Sequence, residues 1–405
     1  MSKTFQSLSH RNFRLFFIGQ SISNTGNWLT SIALTLLVLR LTRSGVAVGW
    51  LAACQYGPIL LFSPQGGAIA DRSDKRRLLY VTQSIEMAQS IGLAILAFQR
   101  HPSAMAMYLL AIAGGIVLAL DNPLRRSFVT EMVPPEDRQN GVVLYSMIVN
   151  LSRIFGPALA GLLVTTLGYG WCFTIDAITY LAVLACLAMM RPEELLRVPV
   201  RPRQSGEVRE GLRYLRSIPA LWITYAMLAA IGLLAYNFNV TLPLFVTRAL
   251  RGSDAEFTII YSILSVGSLA GALWVARRSH VTLRNSIVGA AALGVALLAF
   301  SATPSVPIAA LVAFVVGTAS ILYTTSTTAL VQVRARPDMH GRLLAIQTIF
   351  LVGTTAVGGP ISGWVADRFG TRTLIAMGGV VCLIAATFGY VAARKSGAAT
   401  EPVSE

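Results

Sequence analysis

Three ionisable side chains sit deep in apolar sequence: Glu86 in VTQSIEMAQSIG, Asp121 in VLALDNPL and Arg153 in IVNLSRIFG. An ionised group at the centre of such a run costs about 2.5 to 3.5 kcal/mol on membrane-insertion scales, so the two acids are candidates for taking up and releasing protons. Asp121, beside Pro123, is the first choice. Glu86 shares one helical face with Thr82, Gln83, Gln89 and Ser90, and a protonated acid hydrogen-bonded between helices is its competing reading. Arg153 has two readings, an ion-pair partner for either acid or an attraction for an anion. Asp176, near a span end, reads as a helix-end residue.

A second concentration of chemistry is GGAIADRSDKRR, residues 66 to 77. Gly67 would allow close helix packing, and Asp71 would accept from helix N-terminal amides or pair with basic groups across a bundle. Arg72 and Arg76 flank it. Basic residues that only enforce topology would explain Arg76 and Arg77, but not an acid among them. GWVADRFGTR at 363 to 372 has the same pattern, and there the expectation is a cap on its own span.

Polar residues cluster at four further places: Gln20, Asn24, Asn27 and Trp28 in QSISNTGNW; Asn122 beside Asp121; Tyr236, Asn237 and Asn239; and Tyr323 and Thr324 opening YTTSTT. Polar groups facing lipid are costly, so these should face a shared water-filled cavity. Trp28, Tyr236, Phe238 and Tyr323 would offer flat contact to a hydrophobic or aromatic ligand. For any single hydroxyl, bonding between helices is the stronger reading.

Catalytic and metal chemistry find little here. His10, His101, His280 and His340 fall at loops or helix ends, and Cys54, Cys172, Cys186 and Cys382 stand singly. No paired histidines, nucleophile elbow or Walker motif is present, which argues against a metal site, a cofactor, an enzyme or direct use of ATP.

The elements that must hold these residues follow from composition. Hydrophobic residues make up 54% of the 405, charged residues 13%, and the mean hydropathy is +0.63, the signature of a chain that lives in a bilayer. Twelve apolar spans are expected, near 14–40, 45–70, 77–98, 104–131, 140–166, 172–190, 218–246, 256–276, 285–302, 307–332, 341–366 and 373–393. The polar stretch 191–217 divides them into groups of six, giving bundles at 1–190 and 218–393 and a tail at 394–405. Within that linker Val208, Leu212 and Leu215 recur at helical spacing, which predicts an amphipathic helix on the membrane surface.

With the N-terminus in the cytoplasm, 25 of the 33 basic residues fall inside and 7 outside, with Arg153 within a span. The net charge of +15 is thereby assigned to lipid headgroups, and no nucleic-acid partner is needed. The N-terminus shows no cleavage site after a short apolar core, so the first span reads as an uncleaved anchor.

The halves repeat. A shift of 202 residues aligns Pro135 with Pro337, Gly161 with Gly363 and Gly168 with Gly370. With the G-x-I-A-D-R-x-x-K-R-R loop and the twelve spans, the chain resembles the major facilitator superfamily. SNTGNW, DRSDKRR, VPPEDRQNG and EGLRYLR are similar to its drug and siderophore exporter branch, which includes the enterobactin exporter. The resemblance implies an all-α polytopic protein of a bacterial inner membrane, with two parallel pseudo-symmetric six-helix bundles. It implies proton-coupled export of a small amphiphilic molecule, or, on the same fold, uptake or lysophospholipid movement. It also implies that Gly67, Asp71, Arg72 and Arg76 form a cytoplasmic clasp completed by Arg125 or Arg126. Gly156, Pro157 and Gly161 resemble an antiporter signature, with Ala160 in place of its first paired glycine. Their packing role follows from residue type alone.

Overall fold

A computed structural model of the chain describes residues 3–196, 207–276, 282–336 and 339–396. The side chains of Lys3, Thr4, Pro64, Ala68, Asp71, Glu207, Val208 and Ala276 lie outside that description, as do 197–206 of the linker and 397–405 of the tail. The carboxylate of the expected clasp, Asp71, therefore lies outside the described residues.

The described chain is helical, as lipid demands of a backbone that must satisfy its own hydrogen bonds. Its helices are α1 (Arg11–Thr42), α2 (Gly45–Arg72), α3 (Lys75–Ala97), α4 (Ala104–Met132), α5 (Arg138–Thr166), α6 (Tyr169–Ala188), α7 (Glu207–Ser217), α8 (Pro219–Leu234), α9 (Phe238–Leu244), α10 (Asp254–Ala276), α11 (Leu283–Ser301), α12 (Val306–Arg334), α13 (His340–Thr348), α14 (Thr354–Phe369) and α15 (Thr371–Lys395). The pairs α8–α9 and α13–α14 belong to two long apolar segments, Pro219–Ala249 and His340–Phe369. In the first, the Asn237 side chain donates to the Leu233 carbonyl where the helix breaks.

Among the described residues, eleven helical segments are long and apolar enough to cross a membrane. The difference from the expected twelve is α3. It is long enough at 23 residues, but its buried face carries Thr82, Gln83, Glu86 and Ser90, which lower its hydropathy.

The chain forms two compact units, residues 1–43 with 54–202 and residues 44–53 with 203–405. In the first, α1 packs on α5 and α6, and α3 packs on α4 and α6. In the second, α15 packs on α8 and α11, and α12 on α10 and α11. Three of these four pairings correspond between the units, α1–α6 with α8–α15, α3–α6 with α11–α15 and α3–α4 with α11–α12, in keeping with the 202-residue shift. The shift is visible in single residues too: Gly168 before α6 and Gly370 before α15 both adopt φ +90, a left-handed conformation open to glycine at little cost.

Polar locks fasten the ends. In unit one, Asp74 caps α3 through the Arg77 amide, Lys75 and Glu131 pair at 2.6 Å, and His10 meets Asp137 at 2.8 Å. In unit two, the linker helix α7 packs on α13, where Glu210 pairs with Arg342 at 2.8 Å.

Candidate functional site: a buried charge cluster beside a cavity

The polar face of α3 and the start of the last third of α4 meet in unit one, where helical spacing sets the chemistry. Asp121 and Arg125 stand four residues apart on α4, so their side chains share one face, and Glu86 of α3 approaches from the side. All three are buried, at 0%, 3% and 4% exposure for Asp121, Arg125 and Glu86. The Arg125 guanidinium pairs with Asp121 through Nε and with Glu86 Oε2 through Nη2 at 3.1 Å. Its Nη1 donates to Gln20 Oε1 of α1 at 2.9 Å. Thr82 donates to Asp121 at 2.7 Å, and Gln83 donates to both acids at 3.1 Å. One cation thus serves two carboxylates, while Thr82 and Gln83 add neutral donors at Asp121 Oδ1 and Glu86 Oε2.

This placement corrects two expectations. Arg125 does not stand ready at a surface clasp: its side chain is enclosed by the cluster. Arg153 pairs with neither acid, because Arg125 holds both. The signal for Arg125 is present in the sequence as the i, i+4 pair Asp121–Arg125, which competes with the clasp role that the resemblance implies for Arg125 or Arg126.

The cluster forms one wall of a cavity of about 290 Å³ within unit one. Glu86 and Arg125 line it with Asn24, Asn27, Trp28, Gln55, Gln89, Asn122 and Tyr180. Five carboxamides stand beside Leu34, Ala111 and Leu118, so the wall is of mixed character. Tyr180 donates to Asn27, and Trp28 packs so closely on Gly156 that a side chain added there would overlap the indole. Pro157 and Gly161 are buried on the same helix.

The cavity-facing expectation divides by unit. Asn24, Asn27, Trp28 and Asn122 line the chamber, whereas Gln20 lies behind it, fully buried against Arg125. In unit two the polar residues are turned to one another. Tyr236 donates to the Ser320 carbonyl at 2.7 Å, Asn237 to Ser362 at 3.1 Å, and Asn239 accepts from Tyr261 at 2.9 Å. Thr324 donates back to Ser320, and the buried Tyr323 ring lies 6.5 Å from that of Tyr236. Apart from the Thr324 bond, which stays within α12, these bonds join one segment to another, the reading the sequence assigned to single hydroxyls.

Other expectations shift as well. Gly66, next to Gly67, faces Ala119 and Leu120 of α4. Arg76 donates to the carbonyls of Leu187 and Ala188, capping the end of α6, while the Arg72 side chain is exposed. Asp176 is no helix-end residue: it lies in the third turn of α6, fully buried, and accepts from Thr30 at 2.6 Å and Ser90 at 2.7 Å.

Asp367 does not cap its own span. It accepts from Gly45 N at 2.8 Å, Val46 N at 3.0 Å and Ser44 Oγ at 3.0 Å, the opening turn of α2, and pairs with Arg248 at 2.6 Å. These residues all belong to unit two. Beneath them Gly45 and Gly49 of α2 meet Gly363 and Gly359 of α14, so closely that a methyl at any of the four would strike the opposing backbone.

A family model described as transmembrane secretion effector matches residues 2–404. The chain belongs to that family. As a transmembrane secretion effector it is a multi-pass secondary transporter of the major facilitator superfamily, moving small molecules across a membrane, and not an enzyme. Its relatives include the staphyloferrin A transporter of Staphylococcus aureus, 26% identical over 64% of this chain and 66% of that one. The enterobactin exporter EntS of Salmonella choleraesuis is 23% identical over 88% of this chain and 86% of its own length. Among solved structures, this transmembrane secretion effector shares its fold with a bacterial homologue of the human lysosomal transporter Spinster. That likeness has TM-score 0.75 and 17% identity, covering 96% and 99% of the two chains. A peptide transporter aligns at TM-score 0.77 and 13% identity, covering 98% and 99%.

Proposed function

We propose that this transporter couples proton movement to export of a small organic molecule across a bacterial inner membrane, by alternating access. On this reading its termini are cytoplasmic, α3 is the twelfth span and the spans form two six-helix bundles. The observation that carries it is Arg125 shared between Glu86 and Asp121 on the wall of a cavity lined by carboxamides and apolar groups. A proton added to either carboxyl changes the charge balance around one guanidinium, and the three-way contact must rearrange. Because Arg125 also holds Gln20 of α1, the change reaches a second cavity helix. Asp121 and Glu86 are thus the coupling pair and Arg125 the hinge between them. Export as the direction rests on the family description and the named exporters among the relatives.

Uptake by proton symport, or movement of a lysophospholipid, is the second reading. It is favoured by the Spinster homologue and the peptide transporters that share the fold.

The test is flux in inverted membrane vesicles under an imposed inside-acid gradient, with ethidium, tetraphenylphosphonium, citrate and a catecholate siderophore as probes. Export predicts gradient-driven accumulation of a probe by wild type, lost in Glu86→Gln and Asp121→Asn. Gradient-driven expulsion of preloaded probe would establish uptake instead. Flux indifferent to the gradient and to both substitutions would refute the coupling pair.

A further inference from the structure

Arg153 is the sixteenth of the 29 residues of α5, about 22 Å along the helix axis from its start and hence near the middle of the bilayer. From there its side chain cannot snorkel to a headgroup. A charge at that depth requires a partner, yet among the described residues Arg153 has no carboxylate within ion-pair distance, and its Nε is buried without a hydrogen-bond acceptor.

The described acids of unit one's interior are already committed. Glu86 and Asp121 hold Arg125, Asp176 is occupied by Thr30 and Ser90, and Glu131 holds Lys75. Among the described acids of unit one's interior, none is left to supply the counter-charge.

The surroundings say what could supply it. Ser146, Val149, Asn150 and Arg153 follow one another at helical spacing on α5, and the first three line a groove of about 260 Å³. Arg126 of α4 lines the same groove and is likewise without an acidic partner among the described residues. The hydroxyl of Ser146 and the amide nitrogen of Asn150 donate to their own helix. Val129, Val142 and Val149 give the groove an apolar wall.

We propose that this groove, which Arg153 extends one turn further along the same face of α5 and which Arg126 lines from α4, binds the transported molecule, and that this molecule is an organic anion whose carboxylate or similar oxyanion pairs with Arg153. The proposal rests on the transport reading and names the substrate class that reading leaves open. Adjacent arginines then divide the work: Arg125 turns inward to the coupling acids, and Arg126 faces the ligand. A planar guanidinium suits carboxylates because its donors match both oxygens, and the valine wall accepts the apolar remainder of the molecule.

The test is equilibrium binding to the full-length purified protein by tryptophan fluorescence and calorimetry, without a pH gradient. A failure of coupling therefore cannot be mistaken for a failure of binding. The probes are citrate and salicylate, their uncharged counterparts triethyl citrate and salicylamide, and the cation tetraphenylphosphonium. Expected is saturable binding of at least one anion, at least tenfold tighter than its uncharged counterpart and weakened by salt. Arg153→Gln should weaken it at least tenfold, Arg153→Lys less, and Arg126→Gln by a smaller factor with a shallower salt dependence. Should Arg153→Gln fail to fold, Arg153→Lys and Arg126→Gln carry the same comparison. Equal affinity for charged and uncharged probes, preference for the cation, unchanged affinity in the arginine variants, or no binding of either anion at millimolar concentration would each overturn the proposal.

Discussion

Replacing Arg125 with methionine keeps most of the side chain's length and removes the charge that Glu86 and Asp121 share. Two buried carboxylates lose their cation, and the Gln20 side-chain oxygen loses one of its two donors, keeping Asn24. Breaking a buried ion pair from one side costs about 3 to 5 kcal/mol. The loss should not double for two acids, because Asp121 keeps Thr82 and Gln83 as donors and Glu86 keeps Gln83. A cost of about 3 to 5 kcal/mol lowers the folded-to-unfolded ratio by at least a hundredfold. The four free cysteines supply the assay: Cys172 and Cys382 are fully buried, so a thiol-reactive dye reports unfolding in either unit. Arg125→Met should bring reaction of Cys172 to a clearly lower temperature. Adding Glu86→Gln removes one orphaned charge and should recover about 1 to 3 kcal/mol of the loss. A wild-type midpoint in Arg125→Met, or a double variant worse than the single one, would show that the guanidinium does not hold this cluster together.

Two further substitutions test contacts outside the cluster. Asp176→Leu leaves the Thr30 and Ser90 hydroxyls without their acceptor in a fully buried site and should cost about 1 to 3 kcal/mol, whereas Asp176→Asn, which keeps an oxygen, should cost less than half as much. The same dye assay decides, and equal tolerance of both would refute the bonding. Asp367→Ala uncaps α2 and should cost about 1 to 2 kcal/mol, with faster amide hydrogen exchange at Gly45 and Val46. Arg248→Ala, which removes only the half-exposed partner of that pair, should leave the exchange nearly unchanged, and equal effects of the two would refute the cap.

The sequence disclosed the fold more fully than the site, for a physical reason. Apolar runs and the basic residues between them respond to the bilayer alone, so eleven of the spans are legible without any tertiary information, and the glycines at 168 and 370 mark the repeat by their backbone need. A side chain's partners depend on helix rotation, which hydropathy leaves open. Asn122 and Asn237 are both asparagines beside polar neighbours, yet one lines a chamber and the other is buried against Ser362. The span carrying Glu86 is the instructive case. The polar stripe that made the residue noticeable is what keeps α3 below the apolarity of the other eleven segments. Asp367 was misread because its partners, Ser44 to Val46 and Arg248, are more than a hundred residues away, beyond any local motif.

The opening ten residues of the α2 region, 44–53, belong to the compact unit built mainly from 203–405. The sequence repeat, by contrast, runs from one half of the chain to the other and would place them in the first half. Ancestry and packing therefore divide this molecule at different points. A fragment that begins in the linker lacks its own packing partner for Gly359 and Gly363, and leaves Asp367 with Arg248 but no helix to cap. Complementary fragments of this transporter should accordingly be made with residues 1–53 kept on the first piece and both pieces present together, since the second is completed only by a stretch of chain that it does not encode.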